Sequence, residues 1–164
     1  MSFAARLADL LGPPNARYRH DLPGWVRDRI GGHLWSKQRE IAEAIDQYPR
    51  VAVKACHGPG KSWTAAQIVA HWIDTHPPGD AFAVTSAPTD PQVKAILWRE
   101  ITKAHKAGDL PGRVTLDAQW KVDDELVAFG RKPAEWDDGC EHSRDLDAAA
   151  VGGWRWHHPD KRAM

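Results

Sequence analysis

Residues 50 to 62 read Arg50-Val51-Ala52-Val53-Lys54-Ala55-Cys56-His57-Gly58-Pro59-Gly60-Lys61-Ser62, and their order decides the fold. Val51-Ala52-Val53 is a short apolar, strand-like run. A helix-like segment starts near Lys61. Strand, glycine-bearing loop and helix N-terminus in that order are the context of a phosphate-binding P-loop. The backbone N–H groups of such a loop and of the first helical turn converge on one spot and favour an anion there. Gly58 and Gly60 leave room for a phosphate to approach the backbone, with His57 and Pro59 completing the loop. Lys61 is placed to reach the β- and γ-phosphates of a nucleotide, and the Ser62 hydroxyl to hold Mg²⁺. One position departs from the usual pattern: Ala55 stands where the first glycine is expected.

Working outward, the flanking segments alternate. Ser36 is a candidate cap for a helix through about Gln47, with Ile41, Ala44 and Ile45 on one face. Arg50 to Ala55 reads as a strand. The helix after the loop runs to about Asp74 with Ala66, Ile68, Val69 and Trp72 inward, and His76-Pro77-Pro78-Gly79-Asp80 ends it. Ala81 to Ser86 reads as a second, buried strand parallel to the first. Asp90-Pro91 opens a helix to about His105. Arg113 to Phe129 reads as two or three short strands with a turn at Asp123-Asp124. On the N-terminal side, Phe3 to Leu11 reads as a short amphipathic helix. Pro23 to Ile30 reads as a second one, started near Asp21 and stopped by Gly31-Gly32. The β-α-β-α alternation specifies an α/β fold, a partial P-loop NTPase domain whose mostly parallel sheet is flanked by helices. The expected organisation is an N-terminal helical segment over residues 1–33, the ATPase part over 34–136 and an irregular tail over 137–164. In that tail only Leu146, Val151 and Met164 are sizeable aliphatics, against ten charged residues.

Bulk properties narrow the function classes. The chain has 164 residues, enough for one domain with a core. Twenty-two basic and twenty-two acidic residues cancel, so the basic excess of a sequence-independent nucleic-acid grip is absent. Two cysteines, Cys56 and Cys140, argue against a disulfide scaffold and fit a reducing cytosol. No apolar run approaches the roughly 20 residues of a membrane span, and no secretory leader is visible. Cys140, His142, His157 and His158 have spacings that fit no common structural zinc site.

Three stretches together resemble the ATPase domain of the large terminase subunit of tailed bacteriophages, the motor that packages double-stranded DNA. Leu34-Trp35-Ser36-Lys37-Gln38-Arg39-Glu40-Ile41 resembles that family's adenine-sensing Q motif, residues 50 to 62 its P-loop, and Val84-Thr85-Ser86-Ala87-Pro88-Thr89 the motif Ia segment shared with helicases. Leu97 to Ile101 and Val127 to Ala134 are also similar to family segments, so the resemblance spans about residues 22 to 136 in the right order. It implies ATP and Mg²⁺ as ligands, with Gln38 on the adenine and Thr85 and Thr89 coupling nucleotide state to DNA contact. It also implies partners for the intact motor, namely double-stranded DNA, a portal protein and a small terminase subunit, in the cytoplasm of a bacterial host carrying a phage or prophage.

A Walker B element, an apolar strand running into Asp-Glu, is missing where the resemblance expects it, so no catalytic residue is assigned. After Ala134 the chain enters Glu135-Trp136-Asp137-Asp138-Gly139-Cys140 instead. Val122-Asp123-Asp124-Glu125 has only one apolar residue immediately before its carboxylates and reads as a hairpin turn. The expectation is a chain truncated before Walker B, its tail read in a shifted frame, with a natural short form as the alternative. Two other readings stay open. One is a superfamily 2 helicase-like ATPase fragment of a mobile element; the other is a non-functional prophage remnant.

Overall fold

The computed structural model describes residues 15–132 except Pro78. The expected helix over Phe3 to Leu11, the tail over 137–164 and its Cys140, His142, His157 and His158 lie outside the described residues. So do Pro133 and Ala134 and the stretch Glu135 to Cys140, where the resemblance expects a Walker B element.

A 3₁₀ turn, Ala16–Tyr18, leads into α1, an α-helical turn Leu22–Trp25 that widens into a π-type stretch, Val26–Ile30. Its ends are those expected from the sequence. The Asp21 carboxylate accepts a hydrogen bond from the Gly24 N–H at 2.8 Å, and Gly31 closes the helix at φ +70°, where glycine carries no Cβ penalty. Helix α2 spans Ser36–Gln47. Ser36 does not cap it: the helix begins from Trp35, whose N–H donates to Gln38 Oε1 at 3.2 Å. The inward stripe is also rotated from the expected one. Gln38 and Ala42 are buried at its centre, and Ile41, Ala44 and Ile45 flank it half-buried. The sequence hides this because the stripe is centred on a polar residue.

Helix α3, Lys61–Thr75, runs through the core. Ala66, Val69 and Ala70 are fully buried and Ile68 and Ile73 nearly so, while Trp72 is half-buried against the same cluster. This helix also buries polar side chains, and two of them, His71 and Asp74, are answered from the N-terminal elements. The His71 ring Nε2–H donates to the Tyr18 carbonyl at 2.6 Å. Asp74 accepts from Trp25 Nε1 at 2.8 Å and from Asn15 Nδ2 at 2.9 Å, with Arg29 beside it.

Four strands form one sheet in the order β1-β4-β3-β2, where β1 is Ala83–Ser86, β2 Arg113–Thr115, β3 Gln119–Val122 and β4 Glu125–Arg131. The class is α/β, but the sheet is mixed rather than mostly parallel. β1 pairs with β4 in parallel, whereas β2–β3 and β3–β4 are antiparallel. The short loops of this meander dictate that, because only antiparallel strands can be joined so tightly. Asp123-Asp124 is the hairpin turn, with Asp123 at φ +53°. The second correction concerns Arg50 to Ala55. These residues form no strand with other described residues, and Ala52, Lys54 and Ala55 are exposed. An apolar run becomes a strand only where an edge pairs with it, and none of the four strands pairs with this run, although the outer edge of β1 is open among the described residues.

Helix α4 covers the sheet. It opens with a π-type stretch Gln92–Trp98 and continues as Arg99–Ala107. Thr89, rather than Asp90, caps it, its Oγ1 accepting from the Gln92 N–H. Trp98 lies flat enough on β4 that a Cβ on Gly130 would sit 2.2 Å from its indole nitrogen. Its Nε1–H donates to the buried Thr85 Oγ1 at 2.8 Å. Among the described residues no helix is long and apolar enough to cross a membrane.

Burial lowers the His71 pKa from 6.5 to about 4, because the charged ring would lose its water. Between those values the unfolded chain binds more protons than the folded one, so stability rises with pH. The contribution is complete above pH 6.5 and falls as pH drops toward 4, by roughly 3 kcal/mol in all. His71→Gln keeps a donor for the Tyr18 carbonyl and does not titrate. Thermal melts from pH 7 to pH 5 are expected to fall less steeply for this variant than for the parent chain; equal slopes would exclude His71 as the titrating group.

Candidate functional site

Residues 57–60 form a loop at the head of α3. Gly58 and Gly60 both adopt left-handed backbone, at φ +91° and +84°. That conformation is nearly free for glycine and strained for other residues, so the sequence places glycine at both turning points. The Gly60 carbonyl accepts the first backbone bond of α3, from the Thr64 N–H at 2.8 Å. His57 and Gly58 are exposed, and Pro59, Gly60, Lys61 and Ser62 half-buried, so the loop faces solvent at a helix N-terminus.

Lys61 folds back over the loop. Its Nζ donates to the Ala55 carbonyl at 2.8 Å and also to the Cys56 carbonyl. The ammonium is thereby held across the loop's mouth, on the carbonyl of the residue that replaces the usual first glycine. Ser62 sits in the first turn of α3. Lys54 and Cys56 are exposed on the incoming arm.

Gln38 comes to this loop from α2. A Cβ on Gly60 would lie 3.0 Å from Gln38 Nε2. Gln38 is only 6% exposed. Its amide oxygen accepts from the Trp35 N–H, and its Nε2–H donates to Thr64 Oγ1 at 2.9 Å. Thr64 Oγ1 in turn donates to the Gly60 carbonyl at 3.0 Å. A relay of hydrogen bonds thus runs from the start of α2 through Gln38 and Thr64 to the last glycine of the loop. One amide N–H and one oxygen lone pair of Gln38 are left over. Thr64 went unnoticed in the sequence. Its signal is a hydroxyl on the buried face of a helix, four residues after a carbonyl it can reach.

Thr85 and Thr89 make their hydrogen bonds away from the loop. Thr85, at 1% exposure, spends its hydroxyl on Trp98, with Phe129 O also within 3.4 Å. Thr89 caps α4. The hydrogen bonds of both serve packing and helix capping.

Among the described residues no group of three or more His, Cys, Asp or Glu side chains is placed to hold a metal ion. The expectation from sequence is Mg²⁺ delivered with a nucleotide's phosphates, with Ser62 as its protein ligand. The residues fit such a group: two glycines without Cβ, an ammonium at the mouth and a hydroxyl in the first helical turn. No family model, curated protein or solved structure matches this chain.

The two glycines differ in a testable way. At Gly58 an added Cβ meets open space, whereas at Gly60 it meets the Gln38 amide as well as the backbone strain. Gly58→Ala is expected to cost about 1 kcal/mol, the strain alone. Gly60→Ala should cost more, about 2 to 3 kcal/mol, by adding overpacking against Gln38. Denaturant titration of the two variants checks the order. Gly60→Ala as mild as Gly58→Ala would mean that Gln38 does not brace the loop.

Proposed function

We propose that this chain is a nucleotide-binding P-loop domain of the α/β class. More particularly, we propose that it is the N-terminal part of the ATPase domain of a phage large terminase subunit, the motor that drives double-stranded DNA into a procapsid. The observation that carries the first step is the loop itself: Gly58 and Gly60 in left-handed backbone, directly ahead of a buried helix whose first two residues are Lys61 and Ser62. The second step rests on the order of the sequence segments around that loop and on Gln38 reaching Gly60.

In this reading the loop's N–H groups and the α3 N-terminus hold the β-phosphate. Lys61 leaves the carbonyls of Ala55 and Cys56 for the phosphates, exchanging two neutral acceptors for charged ones. That exchange is favourable, since hydrogen bonds between ionised partners are the stronger kind. Ser62 ligates Mg²⁺, and the spare N–H and lone pair of Gln38 match the donor–acceptor edge of adenine. Mg²⁺ neutralises phosphate charge and orients the nucleotide. Hydrolysis additionally needs a carboxylate pair to order Mg²⁺ and activate water. The Asp123-Asp124-Glu125 group is committed to the β3–β4 hairpin and does not supply one. With no such pair assigned among the described residues, this reading gives the chain nucleotide binding and a background rate of turnover. In the intact motor, the portal protein and the small subunit would be its partners.

Thermal melts with and without Mg²⁺-ATP test this directly. At a ligand concentration near 100 times Kd, binding should stabilise by about 2.7 kcal/mol and raise Tm by several degrees. Lys61→Ala should remove the shift while leaving the unliganded melt in place. No shift at millimolar nucleotide, or an equal shift in Lys61→Ala, would overturn the proposal.

A further inference from the structure

One face of the sheet stays open among the described residues. The helices pack on the face that carries Ala83, Thr85, Trp120 and Ala128, all buried. On the opposite face Val84 lies beside Phe129 in register, and the Phe82 ring is 5.6 Å from that of Phe129. Phe82 and Val84 are 51% and 50% exposed. The strands add three cations to this face. Arg113 is in register with Lys121, which lies two residues from Gln119, the partner of Phe129. Arg131 follows Phe129 by two residues on β4. Two residues along a strand are about 7 Å, so cations stand on both sides of the apolar centre. None of the three enters an ion pair among the described residues. The neighbouring carboxylates do not answer them. Asp123 and Asp124 turn the hairpin at one end, and Asp117 is 3.7 Å from Lys94 of α4.

An apolar centre between cations is complementary to an acidic segment that carries an aromatic side chain. This chain supplies one. β4 ends at Arg131, and the described residues end one position later, at Lys132. Residues 135–147 hold six carboxylates and one basic residue, Arg144, a net charge of −5 with His142 neutral. Trp136 is the fifth residue after Arg131. Five residues reach at most about 17 Å. Phe129 is about 7 Å back along β4, and Val84 is one strand, about 5 Å, to its side. We propose that residues 135–147 fold back over this face. Trp136 covers Phe82, Val84 and Phe129. Glu135 stands beside Arg131, and Asp137, Asp138 and Glu141 beside Lys121 and Arg113. Tethering favours this occupant over a free partner, because a short linker presents the segment at a concentration of about millimolar or more. The contact is independent of the reading of the loop.

The test uses the full chain and its own Cys140. In Cys56→Ser, Cys140 is the single cysteine and takes a nitroxide spin label. The backbone amides of Phe82, Val84, Lys121 and Phe129 are expected to broaden more strongly than those of α2. Raising the ionic strength to about 0.5 M screens charges beyond a few ångströms and should weaken this broadening without any substitution. Lys121→Glu with Arg131→Glu should abolish most of it, and adding Asp137→Lys and Asp138→Lys to that variant should bring it back. The amide spectra report whether each variant is folded. No selective broadening at this face, or broadening indifferent to both salt and charge reversal, would overturn the proposal. Broadening of the same size in an isotope-labelled chain mixed with a separately spin-labelled one would put a second copy on the face and overturn it as well.

Discussion

The structure depends on burying α3, a helix that carries polar side chains into the core at both ends. Thr64, Gln67, His71, Asp74 and Thr75 are all buried. A buried polar group without a partner costs about 1 to 3 kcal/mol; Thr75 bonds the His71 carbonyl of its own helix and Gln67 Oε1 has no hydrogen-bond partner among the described residues, while the other three are met by neighbouring elements. Gln38 of α2 meets Thr64, the Tyr18 carbonyl meets His71, and Trp25 and Asn15 meet Asp74. These bonds hold the N-terminal segment, α1 and α2 in fixed positions around α3. Apolar packing alone would fix them less sharply, because it is not directional.

The same constraint shapes the loop. Thr64 hangs its hydroxyl on the Gly60 carbonyl and receives Gln38 from the other side. The last turn of the loop is thus braced by the core, while His57 and Gly58 stand in solvent. The loop is thus braced at its rear and open to solvent at its front, the arrangement the proposed anion site calls for. Lys61 spans the front, resting on carbonyls it can exchange for stronger partners.

Much of this was legible in the sequence, for local reasons. The loop, the Asp21 cap, the Gly31 stop and the Asp123-Asp124 turn are all set by short-range chemistry at named positions. The long helix after Lys61 was legible because its apolar positions repeat. What the sequence concealed depends on partners distant in the chain. Val51 to Val53 has strand composition, yet no edge comes to it among the described residues. Phe82 and Val84, expected to be buried between layers, are about half exposed, because the helices cover the other face of β1. The rotation of α2 toward Gln38 follows from a bond to Thr64, 26 residues away. Thr85 and Thr89 sit in a motif-like segment, and their hydroxyls meet Trp98 and the start of α4.

The central claim is that residues 57 to 62 form an anion-binding cradle braced by Gln38. The most direct measurement is an NMR titration of the isotope-labelled chain with Mg²⁺-ADP, following backbone amides and the Gln38 side-chain amide. The account predicts the largest shifts at Gly58, Gly60, Lys61 and Ser62, with smaller shifts relayed to Thr64 and the Gln38 amide. Shifts confined to other parts of the chain, or none at millimolar nucleotide, would contradict it.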